Sequence, residues 1–192
     1  MDAVTATVEM TAAQFLALGL RPEGIVHQEL VEGELVVNEP SRLHNDSQFD
    51  VAFALKDWTR GAPKRGWAGL PLDVRLDDRN VYAPDIVWYR KGRVPGRSEP
   101  PPYPMPDLAV EVRSPSTWRF DIGAKKANYE RYGLAELWLV DTAADVVLVF
   151  RRSEPDAPSF DVSLELMTEE TLTSPLLPGF SLPVSEIFAP ES

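Results

Sequence analysis

An α/β domain built on a mixed β-sheet is the fold class the sequence predicts, and three observations predict it. Short runs of period-two alternation are interleaved with two stretches of helical spacing, over 41–61 and 120–132. Of the 192 residues, 44% are hydrophobic, enough for one buried core and few for two, so a single domain over residues 1–192 is expected. No internal repeat interrupts the pattern.

The elements follow in order. Thr11 can cap a short helix through Gln14, Phe15, Leu16 and Leu18 that Gly19 stops. The β-like runs 25–31 and 34–38 flank Glu32-Gly33, an acidic-Gly turn suited to an N-terminal hairpin. Ser41 is placed to cap a longer helix in which His44, Val51, Leu55 and Trp58 share one face, ending near Gly61-Ala62-Pro63. Leu72, Val74 and Leu76 alternate with Asp73, Arg75 and Asp77 as a strand with one wet face. A further strand is expected over 81–88, where Pro84 implies an edge, bend or bulge that re-aims Asp85.

The segment RKGRVPGRSEPPPYPMP holds six of the chain's 18 prolines and reads as a surface loop. Asp107 to Arg113 then alternates, with Leu108, Val110 and Val112 on one side and Glu111 and Arg113 on the other. A helix is expected over 120–132, stopped by Gly133, with Lys125, Tyr129 and Tyr132 on one stripe. The runs 137–142 and 146–151 form a hairpin, 160–166 a further strand, and the tail PGFSLPVSEIF a closing helical turn.

Composition narrows the chemistry. There is no cysteine, which excludes disulfides, thiolate zinc sites and thiol nucleophiles, and His27 and His44 are too few for an imidazole-rich zinc site. Metal chemistry would rest on carboxylates, which favour Mg²⁺, Mn²⁺ or Ca²⁺. A net charge of −11 argues against binding nucleic acid by charge alone. Between Arg90 and Arg131, however, nine Lys or Arg face five Asp or Glu, a local excess of +4. The first twenty residues lack a signal-peptide pattern and no run is long enough to span a bilayer, so a cytoplasmic location is expected.

One constellation carries a chemical rationale. A Pro-Asp pair at a bent strand is followed 26 residues later by Glu-x-Arg on an alternating strand, and then by a helix with Lys four positions before Tyr. Two carboxylates from adjacent strands can converge on one hard cation, with water and substrate oxygens completing its octahedron. A nearby lysine would orient the attacking water or stabilise the transition state. Each residue also has a plain structural reading: Asp85 as a turn residue, Arg113 as the salt-bridge partner of Glu111, Tyr129, Tyr132 and Trp138 as core.

At these residues the chain resembles the Uma-type restriction endonuclease family of the PD-(D/E)XK nuclease superfamily. The matching text covers most of the chain: QELVEGELVV, His44 opening a helix, PDIVWY, DLAVEVRSPST, DIGAKKANYERYGLAELWLVD and PGFSLPVSEIF. The resemblance implies a restriction-endonuclease-like mixed sheet flanked by helices, Mg²⁺-dependent hydrolysis of phosphodiester bonds in DNA with Mn²⁺ as an alternative ion, and a homodimer. It makes Asp85 and Glu111 the metal ligands. Arg113 stands where the superfamily pattern places lysine, and a guanidinium is a poor proton acceptor. The match for that lysine is Lys125 on the following helix, with Lys126 turned about 100° away. Glu34 and His44 match positions that line the rest of the pocket. The alternatives are a non-catalytic binding or regulatory module on the same fold, and a metal-free hydrolase using Glu34 and Glu111 as an acid/base pair.

Overall fold

The computed structural model describes residues 9–18, 27–38 and 40–188. Thr11 and Gln14 cap one another reciprocally at the start of α1 (Ala12–Ala17); the expected stop at Gly19 and residues 25–26 of the first strand lie outside the described residues. β1 (His27–Val31) and β2 (Glu34–Asn38) pair antiparallel. Glu32 and Gly33 turn between them at φ of 53° and 87°, the left-handed pair that a two-residue hairpin of this type demands. Ser41 caps α2 (Arg42–Arg60), its hydroxyl accepting the His44 N–H at 3.2 Å. His44, Ser47, Val51, Leu55 and Trp58 form the buried stripe of that helix.

Two expected strands are shorter or divided. After β3 (Trp67–Gly69), the run 72–76 pairs only over β4 (Val74–Arg75), because the N–H groups of Leu76 and Asp77 both turn to the Asn80 carbonyl. The run 81–88 is two strands in different sheets, β5 (Val81–Tyr82) and β6 (Ile86–Tyr89). Pro84 has no N–H for a ladder, and the N–H of Ala83 is taken by Glu29 Oε1 at 2.7 Å, so the chain crosses from one sheet to the other there.

Beyond the proline-rich loop comes β7 (Leu108–Val112), then α3 (Trp118–Phe120), a π turn (Asp121–Lys125) and α4 (Lys126–Arg131). These three form the expected helix, kinked at Gly123. β8 (Glu136–Asp141), β9 (Val146–Arg151) and β10 (Val162–Leu166) follow, then the small pair β11 (Thr171–Leu172) and β12 (Leu182–Pro183), and a 3₁₀ turn over Val184–Glu186.

The main sheet has the order β10-β9-β8-β7-β6-β3, and the hairpin joins β5 and β4 in a second sheet ordered β2-β1-β5-β4. Only β7 and β8 are parallel within the main sheet, and the crossover between them carries the helical segment 118–131. β7 is buried along its whole length, which is why it reads as nearly unbroken apolar sequence. Ile86, Trp88, Leu108, Val110, Trp138, Val140, Val147 and Val149 face α2 and the C-terminal segment. Ala109, Leu137 and Leu139 face the opposite way, against Tyr129, Leu134, Tyr82 and the hairpin residues Val31 and Val36. No helix among the described residues is long and apolar enough to cross a membrane.

Leu55, fully buried on α2, ties that helix to the sheet. Leu55→Ala should lower the unfolding free energy by about 2–5 kcal/mol, seen in urea titration as an earlier midpoint at unchanged slope.

Candidate active site

Glu111 occupies the one position on β7 where an ionisable side chain points into the second core, on the Ala109 face. Burial of that kind is costly without a partner. The partner is Lys125, whose Nζ lies 2.8 Å from Glu111 Oε1, 2.8 Å from Glu29 Oε2 and 3.0 Å from Asp121 Oδ1. All four side chains are buried. The Tyr129 hydroxyl donates to Glu111 Oε1 at 2.7 Å, and the Ala83 N–H donates to the second oxygen of Glu29.

Asp85 stands beside this cluster. Continuing the β6–β7 register, in which Ile86 opposes Val110, sets Asp85 opposite Glu111. Its Oδ2 accepts the Val112 N–H at 2.7 Å, and its Oδ1 lies 3.3 Å from Nε2 of buried His44. The other ring nitrogen of His44 is 3.2 Å from Ser114 Oγ, and Gln48 donates to the Asp85 main-chain carbonyl. A cleft of about 10 Å³ is lined by Glu29, Asn38, Asp85, Glu111, Asp121 and Lys125, room for roughly one water-sized group. Asn38 Oδ1 is buried at its edge with no hydrogen-bond partner among the described residues.

The electrostatics follow from three acids around one base. Burial pushes the Glu111 carboxyl well above its usual range; Lys125 opposes that, and the neighbouring Glu29, Asp121 and Asp85 add to it. For the same reasons Asp121 rises from 3.8 to about 6. Burial alone would lower the Lys125 ammonium, but Glu111, Glu29 and Asp121 outweigh it and hold Lys125 protonated well above its ordinary value. It can donate and attract, and it cannot serve as a proton acceptor near neutrality. His44 is also raised: burial opposes its charge, and the bond and charge of Asp85 prevail.

Of the residues singled out in sequence, Asp85, Glu111, Lys125 and His44 are brought together. Lys126 points elsewhere, its ammonium 4.4 Å from the Phe150 ring centroid. Arg113 does not neutralise Glu111. It lies past the end of β7, pairs with Asp141 at 2.8 Å and stacks over Trp118. Glu34 is corrected outright: it sits exposed at the turn end of β2, opposite Val31. The hairpin carboxylate in the cluster is Glu29, opposite Val36. A signal for it existed, since Glu29 shares the inward face of buried Val31, the same charge-on-an-apolar-face anomaly that marks Glu111. Asp121 was also legible, four residues before Lys125 on a helix. The basic, proline-rich loop leaves β6 at Tyr89, the end remote from Asp85, and there Arg90 and Arg93 are spent on buried Asp107.

Sheet order, crossover helix and acidic cleft together define a restriction-endonuclease-like α/β protein. The chain belongs to the Uma2 family, described as "Putative restriction endonuclease", whose model matches residues 12–185. Its fold is similar to that in the "crystal structure of a putative nuclease belonging to DUF820 from Anabaena variabilis ATCC 29413". The two share a TM-score of 0.76 over 94% of this chain and 98% of that one, at 19% identity. At that identity the likeness is one of fold. No curated protein matches the chain.

Lys125→Met would leave buried carboxylates without their cation and should cost about 3–5 kcal/mol of stability at pH 7. Raised carboxyls hold more protons folded than unfolded, so their contribution is present below the ordinary carboxylate range and lost as pH rises through about 6 for Asp121. The variant's deficit should therefore shrink when urea unfolding is repeated at pH 5.

Proposed function

We propose that the chain is a divalent-metal-dependent endonuclease that hydrolyses phosphodiester bonds in DNA, with Asp85 and Glu111 as the protein ligands of Mg²⁺ or Mn²⁺. The observation that carries the reading is the convergence of Asp85 and Glu111 on one cleft with Lys125 at its wall. The donor set fits a hard cation: every candidate ligand is an oxygen, acids outnumber the single ammonium, and the Asn38 carbonyl oxygen is buried without a donor among the described residues. Among the described residues no three acidic or imidazole side chains already form a ligand cluster. Two carboxylates, with water and substrate oxygens filling the remaining positions, is the usual manner of Mg²⁺.

Such an ion supplies Lewis acidity toward a phosphoryl oxygen and lowers the pKa of water. The chain's residues set the stage for it. Lys125, kept protonated by Glu29, Glu111 and Asp121, donates to the water or to a phosphoryl oxygen. Val112 N–H and His44 clamp the two oxygens of Asp85 and so fix its aim. Tyr129 does the same for Glu111. Arg113, about a third exposed and tied to Asp141, offers a guanidinium to phosphate outside the cluster. A second copy would supply the second site needed to cut both strands of a duplex.

Two observations favour a non-catalytic binding module instead: Lys125 already neutralises part of the acidic cluster, and the cleft of about 10 Å³ is too small for a phosphate without rearrangement. Mn²⁺ titration separates the two, since saturable binding lost in Asp85→Ala and Glu111→Ala belongs to the nuclease and its absence in the unmodified chain to the module.

With plasmid and linear DNA and Mg²⁺ or Mn²⁺, cleavage should appear and fall at least about 100-fold in Asp85→Ala and in Glu111→Ala. Equal activity in both variants would overturn the assignment. Because Glu111 and Asp121 take up protons when no cation is present, Mg²⁺ binding should release protons and tighten as pH rises from 6 to 8. Calorimetry in buffers of different ionisation enthalpy reads that release.

A further inference from the structure

α2 carries two stripes. Opposite the buried one lie Arg42, Asp46, Phe49, Phe53, Lys56 and Arg60, separated alternately by four and three residues. That is the seam spacing by which two helices pack along their length. At the centre of this seam, Phe49 and Phe53 are 68% and 64% exposed and stack on one another, with ring centroids 6.3 Å apart. Leu70, 59% exposed, extends the apolar surface toward the edge strand β3.

The two rings form a ridge between two grooves. One, of about 440 Å³, is almost wholly apolar and lies between Phe49, Phe53 and the β3 residues Ala68 and Gly69. The other, of about 600 Å³, lies between Phe53 and Phe180. A ridge beside its own matching groove is the shape that a two-fold pair of identical surfaces requires.

Charge along the seam selects the occupant and its direction. Asp46 lies before the rings and Asp50 between them in sequence; the two repel one another, and Glu186 stands close by. The half after the rings is basic, with Lys56 crowded by Arg60 and Arg97. Lys56 donates to the Ala68 carbonyl at 2.9 Å and has no acidic partner among the described residues. Packed in parallel and in register, two such helices would set Asp46 on Asp46 and Lys56 on Lys56. Packed antiparallel about position 51, they set Asp46 of each copy opposite Lys56 of the other and Phe49 opposite Phe53. The outermost pair, Arg42 against Arg60, is like-charged, and there Arg42 is already held by its own Asp46 at 3.4 Å.

We infer that this face of α2 is the interface of a homodimer, formed by antiparallel packing of the seam Asp46, Phe49, Phe53 and Lys56 on its copy. Two phenylalanines and Leu70 from each side would remove on the order of 1,000 Å² from water, the lower bound for a specific interface. The inference stands apart from the nuclease reading, because subunit association and DNA cleavage are measured separately.

Sedimentation equilibrium of the full chain decides it. The unmodified protein should be a dimer at tens of micromolar. Phe49→Glu/Phe53→Glu, whose rings are solvent-facing, should be monomeric with an unchanged far-UV circular dichroism spectrum and a melting curve that no longer depends on protein concentration. Asp46→Lys and Lys56→Glu should each weaken association about tenfold or more, and the double variant Asp46→Lys/Lys56→Glu should recover to within a few-fold of the original. A monomeric unmodified protein, or a dimer that survives the double Glu substitution, overturns the interface. Failure of the charge exchange to restore association overturns the antiparallel register.

Discussion

A single buried ammonium organises the half of this molecule that holds the candidate site. Lys125 reaches three carboxylates that come from three separate parts of the chain: Glu29 from the hairpin, Glu111 from the central strand and Asp121 from its own helical segment. Each of those acids would be costly in the interior alone, and the lysine would be costly without them. Their mutual compensation lets strand, hairpin and helix meet at one point.

The local backbone serves that meeting. The helical segment kinks at Gly123, which lies outside helical geometry between Asp121 and Lys125, the acid and the base that both turn inward. Pro84 ends one strand pairing and frees the Ala83 N–H for Glu29, and the same break delivers Asp85 to the mouth of the cleft. His44 enters from the opposite side of the sheet, from the first turn of α2, and bridges Asp85 to Ser114. The cleft's walls come from the hairpin, the 83–85 connection, β7 and the 117–125 segment, and α2 supports them through the contact of His44 with Asp85. Support of that kind is what the metal-ligand role proposed for Asp85 would need.

The α2 helix shows how one element can serve two boundaries. Its inner stripe, His44 to Trp58, closes the core and supports the cleft through the contact of His44 with Asp85, while its outer seam presents Phe49 and Phe53 to solvent between Asp46 and Lys56. The basic, proline-rich loop has two of its four cations turned back onto the fold. Arg90 and Arg93 turn back onto Asp107, and the loop leaves the sheet at the end away from Asp85.

The sequence by itself determined the fold class, the hairpin, the long helix and its buried face, the central strand and the pairing of Asp85 with Glu111 as site candidates. Apart from that pairing, which rests on a motif spanning 26 residues, these are local matters: turn residues, caps, and a charge interrupting an apolar alternation, all legible within a dozen residues. Lys125 rather than Lys126 also followed from helical geometry once the resemblance had pointed to that helix. Only the tertiary structure decided that Glu29, not Glu34, enters the cluster, that Arg113 turns to Asp141, and that 81–88 splits between two sheets. Those outcomes depend on which partner is nearest among groups far apart in the chain. The Ala83 N–H meets Glu29 across 54 residues and Lys125 meets Glu29 across 96, and no spacing pattern along a strand or helix encodes such a choice.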